Sequence, residues 1–420
     1  MMSNARIEAD YILETPKDVR RVAEFMAGEQ SSGTFVAVPG ETPELKARVA
    51  ATVTRIDMLD DAPSASLPSA RLAAPPDARF RRALVTLSWP LDTLGPSLPN
   101  LLATIAGNLF ELKPVTGLRL LDVRLPQEFA QAYEGPRFGI EGTRRRAGVE
   151  GRPLIGTIIK PSVGLRPQET ATLVDELCRA GIDFIKDDEL QADGPACPFD
   201  QRVDAVMRVI DDHAQRTGKK VMYAFNLTGD LDQMRRRADL LMQRGATCAM
   251  ASLNSVGLVG MIELRRFCDL PIHAHRNGWG YLTRHPALGW SYIAWQKIWR
   301  LAGADHMHVN GIGNKFAESD ESSIASAREC LKPMFDDKPC TVMPVFSSAQ
   351  TAAQAPATYQ GLGSADLIVT AGGGIMAHPL GAAAGVAAMQ EAWEAALAGV
   401  PLAEFARTRP NLQRALEMAA

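Results

Sequence analysis

From Leu154 onward the chain alternates between two hydrophobic patterns. Short runs of strand character are separated by longer stretches in which apolar residues return every three or four positions. The runs LIGTIIK, DFIKDD, KVMYAFNLT, TCAMASLN, PIHAHR, HMHVNG, TVMPVFSS and DLIVTAGGG predict eight strands. ETATLVDELCRAG, DLDQMRRRADLLMQRG and WSYIAWQKIWRLAG predict helices between them, and GAAAGVAAMQEAWEAALAG a helix after the eighth. Eight strand–helix units over about 250 residues are the arithmetic of a (β/α)8 TIM barrel. A doubly wound sheet is the second choice, because it normally uses fewer units.

Before Leu154 the pattern is mixed. ETPKDVRRVAEFMAGE reads as an amphipathic helix and LPNLLATIAGNLF as a buried one. ARVAATVTRIDML, FRRALVTLSWP and LRLLDVRLP read as strands. Helices packed on one antiparallel sheet give an α+β domain of the ferredoxin-like kind. Residues 61–78 read as a surface loop, and residues 134–153, rich in Gly, Pro and Arg, as a linker. The expected organisation is α/β overall: an α+β domain over 1–135, a linker over 136–153, and a barrel over 154–420.

A length of 420 residues suits two domains, and 46% hydrophobic with 22% charged residues suits a soluble globular chain. A net charge of -3 gives no general attraction to nucleic acid or an anionic membrane. The basic runs Arg144–Arg146 and Arg235–Arg237 lack interleaved aromatics and are expected on solvated faces. Six irregularly spaced cysteines without a Cys-x-x-Cys pair point to a reducing compartment. The first residues have no signal-peptide core, and no apolar run approaches a membrane span. The expected location is the cytoplasm.

Active-site groups of a barrel gather at the carboxyl ends of its strands. There the sequence places Lys160, then Lys186 with Asp188 and Glu189, then Asn226, His275 with Arg276, His308, Ser347, and the run Gly372–Gly374. A bare pair of carboxylates is often a solvated turn. Lys186 lies two residues before Asp188, on the same face of a strand. Two carboxylates suit Mg²⁺, and a neutral Lys186 is open to carbamylation by CO₂, which would add a third oxygen ligand. Lys160 ends an apolar strand, where burial and a nearby metal would suit it to proton transfer. His275 and Arg276 set a proton carrier beside a fork for phosphate or carboxylate. His273 and His306 alternate with His275 and His308 and are expected to be structural, facing the other way. The glycines after the last strand suit a phosphate cradle.

These segments resemble the RuBisCO large-subunit family over about 400 residues. GTIIKPSVGL is similar to the first barrel strand, with Lys160 as the catalytic lysine. GIDFIKDDE is similar to the motif of the carbamylated lysine and two metal carboxylates, so Lys186, Asp188 and Glu189 inherit those roles. AFNLTG matches the third-strand asparagine region. IHAHR implies an active-site His275 and a phosphate Arg276, and DHMHVNGIGNK a phosphate-site His308 and a mobile-loop Lys315. GEQSSGTF and AGNLF resemble the parts that reach a neighbouring subunit's site, implying Glu29, Thr34, Phe35 and Asn108 there, hence a homodimer or higher oligomer.

The departures bear on the reaction. Carboxylating members have a second lysine two residues after the first, here Ser162; their Ser-Gly-Gly is Ser347-Ser348-Ala349; their tryptophan is Phe35. Losing an ionisable group at the reacting centre removes roughly 10²–10⁴-fold in rate, so no CO₂ fixation is expected. HVNGIGNKFAESDESS keeps His308 and Lys315 and resembles the branch acting on 3-oxo-isoapionate 4-phosphate. The resemblance implies decarboxylation or C–C hydrolysis of this phosphorylated 3-oxo sugar acid through a metal-stabilised enediolate, with Ser347, Gly372 and Gly373 among the substrate contacts. The alternatives are an enolase or isomerase of methylthioribulose-phosphate salvage, and a non-catalytic sensor or scaffold. A zinc hydrolase using the histidine pairs is weaker, because phosphate-type motifs surround them.

Overall fold

The computed structural model describes residues 5–33, 38–68 and 78–419. They divide into two compact units: residues 1–134 with 278–301, and residues 135–277 with 302–420.

The first unit is built on an antiparallel sheet. Its strands are β1 (Arg6–Thr15), β2 (Thr52–Ala62), β3 (Phe80–Pro90) and β4 (Gly117–Arg124). β10 (Leu288–Trp290), from the segment between the fifth and sixth barrel strands, joins parallel to β4 and gives the order β10-β4-β1-β3-β2. β1 is not among the strands expected from sequence. Its signal is the alternation of Ile7, Ala9, Tyr11 and Leu13, all fully buried. The helix Val19–Glu29 starts where Asp18 accepts the Arg21 N–H at 2.9 Å, and it buries Val22, Ala23 and Met26. The stretch 47–59, expected as one strand, is split between a helix, Pro43–Val49, and β2. Thr42 caps that helix and Pro43 occupies its first position, so local capping outweighs the strand pattern. The expected helix over 98–110 stops at Ala106. A side chain on Gly107 would fall 2.2 Å from the Ala103 carbonyl oxygen. Of the loop expected over 61–78, residues 69–77 lie outside the described residues.

The second unit is a closed barrel of eight parallel strands: β5 (Leu154–Ile158), β6 (Phe184–Lys186), β7 (Met222–Asn226), β8 (Cys248–Ser252), β9 (Ile272–His275), β11 (His306–His308), β12 (Met343–Phe346) and β13 (Ile368–Thr370). Each coincides with an expected run. Leu154, Phe184, Met222, Cys248, Met250, Met343, Val345 and Ile368 fill the interior as one apolar cluster. Each such side chain contributes roughly 1.5–3 kcal/mol by leaving water. Residues two or four further along the same faces are Lys186, Asn226, Ser252, Ser347 and Thr370. The inward faces thus change from apolar to polar towards the carboxyl ends.

The segment expected as a linker contains a helix, Gly139–Ala147, closed by Gly148 with φ 64°. It exists because Arg144 is buried and bound. Its guanidinium donates to the Val149, Arg152 and Ala365 carbonyls and pairs with Asp366 at 2.7 Å. Arg237 is also buried, donating to the Leu227 and Thr228 carbonyls and to Asp193. One arginine of each basic run therefore leaves the solvated face expected for it, because several fixed carbonyls replace its water. No described helix is long and apolar enough to cross a membrane.

Candidate active site at the carboxyl end of the barrel

Lys186, the last residue of β6, is fully buried. Its Nζ donates to the Asp187 carbonyl at 2.8 Å and lies 3.7 Å from Glu189 Oε2. Burial drives its ammonium pKa down, and the three neighbouring carboxylates only partly offset this. Asp188 Oδ2 receives Lys160 Nζ at 2.7 Å. Burial opposes the Asp188 charge, but the bonds from Lys160 and the Leu190 N–H hold its pKa below the ordinary carboxylate range. Glu189 is likewise disfavoured by burial and held ionised by His275 and Lys186. Lys160 lies beyond the end of β5 with its side chain 40% exposed, less enclosed than its apolar strand suggests, and it also donates to Ser162 Oγ at 2.7 Å.

His275 ends β9 with Nε2 3.4 Å from Glu189 Oε2. Its Nδ1 lies 3.2 Å from the Asn277 backbone nitrogen and 3.2 Å from Asn277 Oδ1. Burial, helped by the Lys186 charge, pushes its pKa down to about 4. His275 and Lys160 thus flank the two carboxylates. The donor set fits a hard divalent cation: two carboxylates kept ionised, beside an amine that burial moves towards the neutral form CO₂ can carbamylate. Among the described residues no three His, Cys, Asp or Glu side chains gather round one point. A third protein oxygen would come from Lys186.

Arg276 NH2 donates to Glu318 Oε2 at 2.6 Å, and Asn310 Nδ2 donates to the same oxygen at 2.6 Å. The guanidinium thus holds a carboxylate of its own chain. His308 Nδ1 lies 3.0 Å from Ser347 Oγ. A Cβ on Gly372 would sit 3.7 Å from Lys160 Cε, whereas a Cβ on Gly373 would meet nothing within 4 Å. Lys160, Lys186, Asp188, Glu189, His275, Arg276, His308, Ser347, Gly372 and Gly373 all belong to the barrel unit. So does Lys315, but it is exposed, with its ammonium over the Phe316 ring. Glu29 and Asn108 belong to the first unit. There Gln30, next to Glu29, accepts the Asn108 N–H at 3.0 Å and donates to the Ala103 carbonyl at 3.2 Å. Thr34 and Phe35 lie outside the described residues.

His273 and His306 do not face away from their neighbours. Positions two apart on a strand share a face, so period-two spacing places all four histidines on inward faces. His273 Nε2 lies 2.7 Å from His308 Nε2, and the His275 and His308 ring centroids are 4.5 Å apart.

Asp187 carries no sequence assignment, although it sits inside the acidic run. It takes the odd position and points to the opposite face. There it accepts the Tyr223 hydroxyl at 2.6 Å, the Asn226 N–H at 2.8 Å and Arg202 Nε at 3.2 Å. This buried trio anchors the backbone that carries Lys186 and Asp188. The signal for Asp187 was its parity; nothing local identified Arg202.

The catalytic-domain profile of the ribulose bisphosphate carboxylase large chain matches residues 139–419, and the N-terminal-domain profile matches residues 9–129. The chain belongs to the RuBisCO large-chain family. Among its relatives, the 3-oxo-isoapionate-4-phosphate transcarboxylase/hydrolase of Xanthobacter autotrophicus is 58% identical over 411 residues, with 98% of each chain covered. The 3-oxo-isoapionate-4-phosphate decarboxylase of Rhizobium rhizogenes is 48% identical over 408 residues, covering 97% of this chain and 96% of that one. The crystal structure of a rubisco-like protein from Burkholderia fungorum superposes with a TM-score of 0.92 at 49% identity, covering 98% and 99%. The RuBisCO fold accounts for both units: an N-terminal domain on an antiparallel sheet and a closed eight-stranded parallel barrel.

Proposed function

We propose that this protein is a Mg²⁺-dependent enzyme that cleaves a carbon–carbon bond of 3-oxo-isoapionate 4-phosphate, by decarboxylation or by hydrolysis, and fixes no CO₂. The observation that carries this reading is the pairing of Lys160 with Asp188 at 2.7 Å, beside buried Lys186 and with Ser162 where a carboxylating member has lysine. The names of the relatives support the substrate. Lys186 as its carbamate, with Asp188 and Glu189, would hold Mg²⁺, which when bound polarises a carbonyl oxygen as a Lewis acid.

The chain's own groups do the rest. Lys160, paired with Asp188, can deliver a proton to the carbon left electron-rich by C–C cleavage. His275 stands on the other side, with Nε2 3.4 Å from Glu189, and its neutral ring can take up a proton in exchange. Arg276, Gly372 and Gly373 orient the phosphate, which requires Glu318 to yield its place on Arg276. Ser347 lines the wall and contacts a substrate hydroxyl, with His308 bonded behind it. Lys315 grips the substrate carboxylate from its loop. Glu29, Thr34 and Asn108 complete the site of a second copy, making the active unit at least a homodimer.

The test is turnover of 3-oxo-isoapionate 4-phosphate by purified protein with Mg²⁺ and bicarbonate, with methylthioribulose phosphates alongside. Release of CO₂, or hydrolysis, that is lost on removing Mg²⁺ and in Lys186→Ala is expected, and the product identifies the variant of the reaction. Inertness towards this compound with enolisation of the methylthio substrates would overturn the substrate assignment. Inertness towards both would overturn the enzymatic reading.

A further inference from the structure

His273 and His306 have no part in the chemistry above, yet both are fully buried in the barrel. They belong to a continuous chain of polar contacts. Thr143 Oγ1 lies 2.8 Å from His306 Nε2, and His306 Nδ1 lies 3.4 Å from His273 Nδ1. His273 Nε2 lies 2.7 Å from His308 Nε2, and His308 Nδ1 lies 3.0 Å from Ser347 Oγ. Phe184 packs against His273 and His306. Burial lowers the pKa of all three rings, to about 3 for His306. Each ring is therefore neutral, with one N–H and one bare nitrogen.

Two hydrogen placements satisfy every link, and they run in opposite directions. The Thr143 end selects one. Its hydroxyl donates to the Gly139 carbonyl, four residues earlier in the same helix. A carbonyl only accepts, so the one hydroxyl proton is committed and Thr143 can only accept from His306. His306 then carries its proton on Nε2 and leaves Nδ1 bare. His273 donates from Nδ1 and leaves Nε2 bare. His308 donates from Nε2, and its bare Nδ1 accepts the Ser347 hydroxyl. The reverse placement would take the Thr143 proton away from the Gly139 carbonyl.

We propose that Thr143, His306 and His273 are positioning residues that fix the tautomer of His308, so that Ser347 donates inward and presents its oxygen to a bound ligand as an acceptor. The ligand group that fits there is a donor, a sugar hydroxyl, and the phosphate lies elsewhere. That last step rests on the sugar-acid reading of the substrate; the tautomer assignment does not.

The experiment is long-range ¹H–¹⁵N imidazole spectroscopy of the full-length, ligand-free protein with ¹⁵N-labelled histidine, at about pH 8, above the ordinary histidine range. A bare imidazole nitrogen resonates well downfield of a protonated one, so each tautomer is read directly. The expected result is Nε2–H for His306 and His308 and Nδ1–H for His273, each as one species. Thr143→Val should give mixed tautomers at His273 and His308, and Thr143→Ser should keep the wild-type pattern. Nδ1–H at His308 in the wild type, or an unchanged pattern in Thr143→Val, would overturn the proposal. Should Thr143→Val not fold, Ser347→Ala decides together with the wild type. It removes the far end of the chain and should leave all three tautomers in place. Scrambling there would locate control at Ser347 and overturn the proposal. None of these readings depends on turnover, so they stand or fall apart from the substrate assignment.

Discussion

At the scale of single residues, the acidic run after β6 separates by parity. Lys186 and Asp188 share one face of the chain, and Asp187 takes the other, where Tyr223 and Arg202 hold it. Arg202 and Asp187 are both buried, so removing one charge strands the other in a medium that solvates it poorly. Asp187→Asn should therefore cost about 3–5 kcal/mol of unfolding free energy. Tyr223→Phe removes only a neutral donor and should cost about 1–3 kcal/mol. Urea unfolding of the ligand-free protein measures both. Equal, small losses would show that Asp187 is not the anchor of the segment. This division was legible from the spacing of Lys-Asp-Asp-Glu. The identity of Arg202 was not, because it reaches Asp187 from fifteen residues away on a helix, Phe199–Thr217, whose solvent side is also rich in charge.

At the scale of elements, the eight barrel strands were legible because each is a short apolar run ending in polar groups. Elements whose formation depends on remote partners were not. The helix Gly139–Ala147 looks like a linker because its apolar content is low. The carbonyl of Ala365, 221 residues further on, helps to bury Arg144. The turn after β12 shows the same limit. Ser347-Ser348-Ala349 reads as a departure from Ser-Gly-Gly, yet the backbone keeps the conformation that glycines favour, with φ of 67° at Ser348 and 56° at Ala349. A left-handed conformation costs an L-residue roughly 1–2 kcal/mol, against about 0.4–1 kcal/mol of extra chain entropy lost when glycine folds. Ala349→Gly should therefore stabilise the protein by about 0.5 kcal/mol, read as a higher urea midpoint at unchanged slope. A loss of stability would mean that the alanine methyl makes a packing contribution larger than the strain.

At the scale of the whole molecule, the histidines set the response to acid. Burial holds His273, His306 and His308 below the ordinary value of 6.5, His306 at about 3. A group whose folded pKa is depressed contributes stability that is fully present above its unfolded pKa. That contribution is lost as pH falls towards the folded value. For His306 the window runs from about 6.5 down to about 3. Within it the unfolded chain binds one more proton than the folded chain, a slope of about 1.4 kcal/mol per pH unit for each such group. Asp183 belongs to a lower window. Burial opposes its charge, but Arg152 and Lys219 hold its pKa below 3.8, so its contribution is lost only below that value. Unfolding free energy of the ligand-free protein should therefore start to fall near pH 6.5, well before any carboxylate paired like Asp183 titrates. His306→Gln should make the decline shallower by about one proton between pH 6 and 4, whatever its effect on stability at pH 8. A wild-type curve flat down to pH 4.5 would mean that the buried rings gain their protons without unfolding. The barrel would then admit charge inside its apolar layer.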